Sequence, residues 1–262
     1  MSEPEIIKFI QKSYEQLKSQ KDLSPRNETV NRTLNQLVLR LIEQNTCSSD
    51  FCNRRLGSRA LKKIVERIRK ISYKAECEME KFWAERFVAS RISSISQLSA
   101  FWYFKQYLQI TQNEYELVKN LGDVKKVAFA GSGSLPMTAI LLRQMSGYEI
   151  DLIDRDAKAL DISRRLCSNL GISMNFICSV AEEVCYQKYD AVFVASMIEE
   201  KVPLIDKLRQ DGIKFLIVRD AEKFSQLFYQ KLEPEIFSRY KIRSYMPGDN
   251  LTLNSSLLLE VQ

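Results

Sequence analysis

Hydrophobic residues in the first 120 positions recur at helical spacing. Ile6, Ile7, Phe9, Ile10 and Tyr14 share one side of a first helix. Val30, Leu34, Leu37, Val38, Leu41 and Ile42 share one side of a second, which Asn27 or Thr29 would cap. Residues 45–57 are polar and cysteine-containing and predict a loop. A long helix is predicted over about residues 58–90, with Leu61, Ile64, Val65, Ile68 and Ile71 on its apolar side. Residues 92–119 predict one or two more helices, rich in aromatics (Phe101, Trp102, Tyr103, Phe104, Tyr107, Tyr115).

The pattern changes at Gly122-Asp123. Short apolar runs then alternate with helical ones. Strands are predicted over 127–130, 149–153, 175–178, 191–195 and 215–218, and helices over 136–145, 157–170 and 202–210. Such alternation predicts a parallel sheet covered by helices on both faces. The end differs. Residues 236–245 and 255–261 read as strands joined by Met246-Pro247-Gly248-Asp249-Asn250, with no helix between. That predicts an antiparallel closing hairpin of the kind that ends S-adenosylmethionine (SAM) domains of the methyltransferase type. The expected fold class is α/β: a Rossmann-like, SAM-dependent methyltransferase-type sheet over residues 122–262, preceded by an all-helical domain over residues 1–121.

Residues 126–138, K-V-A-F-A-G-S-G-S-L-P-M-T, have the strand–turn–helix layout of a nucleotide-binding domain. Gly131 permits a tight turn, and Gly133 lets a ligand approach the backbone. Pro136 suits the first turn of a helix. Asp154 ends the second strand, 21 residues beyond Gly133, where an acid accepts hydrogen bonds from ribose hydroxyls. NAD and SAM enzymes both use such an acid. The closing hairpin favours SAM, as does Pro136 in place of a third glycine. Val180 and Ala181 follow the third strand, where SAM domains bracket the adenine. Val180 stands where many have an acid, so apolar and main-chain recognition is expected. The candidate cofactor contacts are Gly131, Ser132, Gly133, Ser134, Leu135, Pro136, Asp154, Arg155, Val180, Ala181 and Ala195.

Composition narrows the chemistry. The chain has no histidine. That excludes Ser-His-Asp and Cys-His nucleophile systems and removes the usual ligand of catalytic zinc. No metal is expected, and acid–base work falls to Glu, Asp, Tyr, Lys or Cys. The six cysteines (Cys47, Cys52, Cys77, Cys167, Cys178, Cys185) form no C-x-x-C and read as buried reduced thiols. Cys178 and Cys185 lie in apolar, strand-like surroundings, and Cys47 and Cys52 flank a loop and could pair if oxidised. No apolar run approaches the ~20 residues a membrane helix needs. The first residues lack a signal-peptide core, so a cytoplasmic protein without a membrane partner is expected. The net charge of +6 is concentrated between Arg54 and Lys70, where eight Lys or Arg face one acid, Glu66. Three readings of this block stay open: a nucleic-acid footprint, a solvated helix face, or arginines turned to a cavity to hold substrate carboxylates.

Several stretches carry a resemblance. Residues 76–85, E-C-E-M-E-K-F-W-A-E, place Glu80 just before an aromatic pair. Residues 101–107, F-W-Y-F-K-Q-Y, with Glu114-Tyr115 further on, are similar to F-P-Y-Y-x-N-Y…L-E-Y. Residues 127–138 look like V-A-F-x-G-S-G-P-L-P-L-T, and residues 189–195 like Y-D-V-V-F-L-A. Arg219-Asp-Ala221 through Phe228-Tyr229 is similar to R-S-A-H-G…L-Y-P, and Asn254-Ser255 to a terminal N-S-V. On these stretches the chain resembles the nicotianamine synthase family, including bacterial members that make opine-type metallophores. The resemblance runs over about residues 73–256. Departures at Phe104, Gln106, Ser134 and Gln230 lie close to the implied acceptor site and bear on acceptor identity.

The resemblance implies transfer of an aminobutanoyl (3-amino-3-carboxypropyl) group from SAM to an amine, releasing methylthioadenosine. Plant members repeat the transfer. The bacterial metallophore enzymes make it once, onto histidine, before an opine dehydrogenase condenses the product with a 2-oxo acid. Histidine is therefore the expected acceptor and an opine dehydrogenase the expected pathway partner. No nucleic acid is expected, and a homodimer is possible. Carried over residue by residue, Glu80 and Tyr107 are the catalytic candidates, with Glu80 as base and Tyr107 orienting the amine or relaying its proton. Tyr103, Arg219, Tyr229 and Asn254 are the substrate-binding candidates, Arg219 holding a carboxylate bidentately. The helical half would serve as lid and acceptor site. The alternatives are repeated transfer, a SAM methyltransferase acting on RNA through the 54–70 block, and a non-enzymatic SAM-binding nucleic-acid module.

Overall fold

The helical periodicity of the first half produces helices where it predicts them. α1 (Glu3–Leu17) buries Ile6, Ile10, Tyr14 and Leu17. α2 (Glu28–Glu43) buries Val30, Leu37 and Leu41. Asn27 caps α2, its Oδ1 accepting from the backbone N–H of Thr29 (3.1 Å) and Val30 (3.3 Å). The computed structural model describes residues 3–43, 49–198, 200–249 and 251–262. Cys47, and with it any Cys47–Cys52 pairing, lies outside them. Residues 49–57 are not the loop their polarity predicts, because α3 (Ser49–Leu56) forms there. Its only buried residues are Cys52 and Leu56, four apart on one face, too sparse a stripe to stand out from the polar residues around it.

Compactness divides the chain into two units, with the boundary at residues 82/83 inside α4 (Lys62–Ala89). One unit is Met1–Phe82 with Ala221–Lys231. In it α1 packs on α2, and a 3₁₀ turn over Lys223–Leu227 packs on α3. Phe224, Leu227 and Phe228 are buried there. Arg69 Nη2 donates to the Gln226 carbonyl (2.6 Å), and Gln226 Nε2 donates to Asn53 Oδ1 (2.7 Å).

The other unit is Trp83–Asp220 with Leu232–Gln262. It is built on a seven-stranded sheet. β1 (Lys126–Ala130), β2 (Glu149–Asp154), β3 (Asn175–Cys178), β4 (Ala191–Val194) and β5 (Phe215–Asp220) run parallel. β6 (Tyr240–Met246) and β7 (Ser255–Val261) run antiparallel, in the order β3-β2-β1-β4-β5-β7-β6. This is the expected α/β class with its closing hairpin, and β7 lies between β5 and β6. α5 (Phe104–Val118), α6 (Met137–Ser146) and α7 (Ala157–Asn169) cover one face, over Phe129 and Phe193 stacked at 5.4 Å. α8 (Lys201–Gln210) buries Leu204, Ile205 and Leu208 against the other. The change of pattern at Gly122 falls between α5 and β1, and α5 packs on α6 and β7. Among the described residues, no helix is long and apolar enough to cross a membrane.

Two expectations need correction here. Residues 236–239 are not strand. A 3₁₀ turn over Pro234–Ser238 precedes β6, and Ile236 is buried from that turn, so its apolar character imitates a strand start. Cys178 and Cys185 are exposed, whereas Cys52 and Cys167 are buried. Cys178 is the last residue of β3, which lies at the sheet's edge with a neighbour on one side only. Cys185 sits in the turn between the buried Val184 and Tyr186.

Candidate functional site

The strand order reverses between β1 and β4, and in open α/β sheets ligands bind beyond the carboxyl ends at such a point. The loop after β1 has Gly131 at φ 77° and Gly133 at φ 65°, both in the left-handed region. The N–H groups of Gly131 and Ser132 both donate to the Ile153 carbonyl (2.9 and 3.1 Å), which anchors the loop to β2. A Cβ on Gly131 would stand 3.1 Å from Ile198 Cγ1 and 3.2 Å from Ala195 Cβ. Glycine thus permits the turn and also the close approach of the loop after β4. Pro136 is the centre of an inverse γ-turn (φ −75°, ψ 55°), closed by the Met137 N–H on the Leu135 carbonyl at 2.6 Å.

Asp154 does more than its expected ribose role requires. Its Oδ2 accepts from the Gly133 N–H (2.8 Å) and its Oδ1 from the Asp156 N–H (2.9 Å). The carboxylate therefore shapes the glycine loop, and a carboxylate's remaining lone pairs can still serve hydroxyl donors. Ser134, Leu135 and Pro136 are buried. Ser132 and Asn254, each 7 % exposed, bury polar atoms without a partner, Ser132 Oγ and Asn254 Oδ1. Asn254 Nδ2 donates to Ser196 Oγ (3.0 Å), which follows β4. Both atoms can accept a hydrogen bond from a polar ligand. Val180 stays 42 % exposed beyond β3, an apolar wall suited to a base. Ala181 opens the following 3₁₀ turn, Arg155 is exposed, and Ala195 is half-buried. An apolar wall, an acid and a backbone-lined loop fit a nucleoside, and the orphaned Ser132 and Asn254 fit its polar arm.

Arg219 is committed inside the protein. Its Nε donates to Glu114 Oε1 (2.6 Å) and its Nη2 to Glu114 Oε2 (2.9 Å) and Thr138 Oγ1 (3.0 Å). The bidentate grip expected for a substrate carboxylate is spent on Glu114. The sequence signal was an acid on the buried face of α5, among Ile110, Thr111, Leu117 and Val118, since a buried acid must find a partner. Two helical turns before Glu114, Tyr107 lies 5.9 Å from the Phe101 ring, and Tyr103, which precedes α5, lies at the same distance.

The other candidates belong to the first unit. Glu80 on α4 is 8 % exposed. Tyr229 donates its hydroxyl proton to Glu76, at 3.0 Å from Oε2 and 3.2 Å from Oε1. Glu76 escaped sequence reasoning, although it stands one helical turn before Glu80. The basic block is partly used within this unit. Arg67 Nη1 donates to the Tyr14 hydroxyl (2.9 Å), Arg69 holds the Gln226 carbonyl, and Arg55 lies 5.3 Å from the Phe51 ring centroid. Arg54, Arg59, Lys62, Lys63 and Lys70 form an exposed face opposite buried Leu61, Val65 and Ile68. Among the described residues, no group of three His, Cys, Asp or Glu is placed to hold a metal ion.

A parallel sheet closed by an inserted antiparallel strand, with a glycine loop at its switch point, defines the class: a Rossmann-like domain of the SAM-dependent methyltransferase type. The sequence profile of the family described as "Nicotianamine synthase protein" matches residues 2–261. The chain belongs to the nicotianamine synthase family. It is 27 % identical over 277 residues to nicotianamine synthase of Solanum lycopersicum, covering 97 % of this chain and 82 % of that protein. It is 26 % identical over 279 residues to nicotianamine synthase 3 of Arabidopsis thaliana, covering 97 % and 83 %. Its fold is similar to that of MtNAS in complex with MTA and tNA (TM-score 0.86, 17 % identity, 97 % of each chain). It is also similar to a mutant of MtNAS in complex with S-adenosylmethionine (TM-score 0.83, 18 % identity, 97 % of each chain).

Proposed function

We propose that this chain transfers one aminobutanoyl group from SAM to the amine of histidine, releasing methylthioadenosine, as a step of opine-type metallophore synthesis. Aminobutanoyl transfer from SAM follows from the family, and the MtNAS mutant is in complex with S-adenosylmethionine. The observation that carries the reading is the occurrence of Glu80, buried on α4, in a chain with no histidine. The chemistry needs a base for an ammonium, and a partly enclosed carboxylate supplies one. Departures from the family pattern at Phe104, Gln106 and Gln230 adjoin Tyr103, Tyr107 and Tyr229, which supports an acceptor other than that of the plant enzymes.

SAM's sulfonium activates the γ-carbon, so the protein's task is orientation and proton removal. Glu80 takes the proton of the acceptor ammonium, and Tyr107 orients the resulting amine. The nitrogen lone pair forms the bond to the γ-carbon. The carbon–sulfur bond breaks with its electrons passing to sulfur, and methylthioadenosine leaves as a neutral thioether. The product stays a secondary ammonium carrying the positive charge that the sulfonium gives up, and Glu80 returns its proton to solvent. The glycine loop and Asp154 hold the nucleoside end, and Asn254 and Ser132 supply polar atoms for the amino-acid arm. An opine-forming dehydrogenase would consume the product.

The match to plant nicotianamine synthases over 97 % of the chain favours a second reading, repeated transfer. One assay separates the two. The protein is incubated with SAM and histidine, and products are followed by mass spectrometry. A single added unit of about 101 Da, from the aminobutanoyl formula and the one-for-one stoichiometry of the displacement, is expected with an equal amount of methylthioadenosine. Several added units would establish repeated transfer, and S-adenosylhomocysteine as the main product would sink both.

A further inference from the structure

We infer that Glu76 is a positioning residue of the acceptor site: it accepts the hydrogen bond of the Tyr229 hydroxyl and so presents the Tyr229 oxygen as a hydrogen-bond acceptor to the N–H groups of the incoming amine. The inference rests on the functional reading above, in which Tyr229 binds the acceptor. A phenol carries one proton and two lone pairs, whereas an ionised carboxylate only accepts. The Tyr229 hydroxyl lies 3.0 and 3.2 Å from the two Glu76 oxygens, so its proton is directed to that carboxylate. What the phenolic oxygen offers elsewhere is lone pairs. Such an oxygen favours an ammonium or imidazole N–H and disfavours a carboxylate.

Glu76 and Glu80 are one turn apart on α4, and side chains at that spacing are neighbours. Glu76 is half-buried and Glu80 is buried, so both are partly withdrawn from screening water. Two carboxylates placed together favour a cationic group beside them. Tyr229 itself is held by a well-packed segment, since Phe224, Leu227 and Phe228 are buried and Gln226 is tied to Arg69 and Asn53. Glu80 would remove the proton while Glu76, through Tyr229, selects and aligns the nitrogen. The acceptor class that follows is an amine with more than one N–H donor, of which histidine is an example.

The test measures steady-state methylthioadenosine release with L-histidine and D-histidine as acceptors, and SAM binding by calorimetry, for wild type, Glu76→Gln, Tyr229→Phe and the double variant. The acceptor KM should rise on the order of ten-fold or more in each single variant, as loss of a charge-assisted contact does. The SAM Kd should stay within about two-fold, and the double variant should be no worse than the poorer single variant, since both break one device. Tyr229→Phe keeps the ring and guards against a folding artefact. An unchanged acceptor KM in Glu76→Gln, multiplying effects in the double variant, or parallel loss of SAM binding would each overturn the inference while wild-type turnover upholds the functional reading. If the wild type releases no methylthioadenosine with either histidine, the functional reading fails and this inference fails with it.

Discussion

Glu114 on α5 and Arg219 on β5, 105 residues apart in the chain, form a bidentate ion pair with their side chains only 2 % and 11 % exposed. Thr138 at the start of α6 and Ser256 on β7 complete the network, Ser256 Oγ donating to Glu114 Oε1 at 3.4 Å. The pair therefore joins the helix that carries Tyr107 to the sheet edge where the glycine loop lies. Removing one partner of the Glu114–Arg219 pair takes the counter-ion from a buried charge, which costs about 3–5 kcal/mol. Glu114→Ala should destabilise the protein by that order in urea unfolding. Replacing both with apolar residues (Glu114→Leu with Arg219→Met) should recover most of the loss. A single variant as stable as wild type would show that the pair is not sealed from water.

Glu80→Gln keeps the size of the side chain and removes its basicity. Transfer should fall by roughly 10²–10⁴-fold, the usual contribution of a positioned base. SAM binding by calorimetry should be retained. Near-wild-type turnover would remove Glu80 from the catalytic role and leave the base to be found elsewhere.

Gly131→Ala tests the loop at the switch point. The added Cβ meets Ile198 and Ala195 at 3.1 and 3.2 Å, on a backbone at φ 77°. Strain of about 1–3 kcal/mol is expected for a side chain held there. SAM affinity should drop at least about five-fold, the smallest change that strain range predicts if it is expressed at the ligand. Unchanged affinity with unchanged stability would mean that the two loops part without cost.

Asp151 gives a pH signature. Burial in β2 raises its pKa. Hydrogen bonds from the Tyr189 hydroxyl (2.7 Å), Asn175 Nδ2 (2.7 Å) and Lys188 Nζ (3.0 Å) outweigh that and hold the carboxyl below its ordinary value. A depressed folded-state pKa stabilises the protein above the unfolded pKa of about 4, and the benefit is lost as pH falls through the folded value. Tyr189→Phe should cost about 1.5–3 kcal/mol at pH 7. It should also flatten the acid limb of stability below about pH 4. Parallel acid limbs for the two proteins would count against the linkage.

The cysteines divide by accessibility. Burial pushes the Cys167 thiol up to about 12, so it should stay unlabelled by a thiol reagent at pH 8 until the protein unfolds. Cys178 and Cys185 are exposed and should label in the native state. Mass spectrometry of the labelled peptides reads the outcome, and native labelling of Cys167 ahead of Cys178 would contradict this burial.

Much of the fold was legible because its signals are local. Alternation of strand and helix patterns located β1 to β5 and α6 to α8 within a few residues, since side-chain period and Gly or Pro punctuation act over short stretches. The glycine loop and Asp154 could be read for the same reason. Their spacing of 21 residues is one strand–helix–strand unit, and the Gly133–Asp154 hydrogen bond spans it. Glu80 and Tyr107 are candidates through short motifs of the same local kind, which the family resemblance picks out. Pattern fails where the signal is thin, as in α3, whose buried face is two residues wide.

Composition and periodicity determined which positions are apolar, where the chain turns, and that the chain offers no histidine side chain for acid–base work. Only the tertiary structure decided the partners. It set β7 between β5 and β6, gave the Arg219 fork to Glu114, and joined Tyr229 to Glu76 across 153 residues. The physical reason is that burial can be read from one residue and its neighbours, whereas a buried polar group requires a particular mate. Which mate it meets depends on how distant segments pack, and one chain's pattern is compatible with many such pairings.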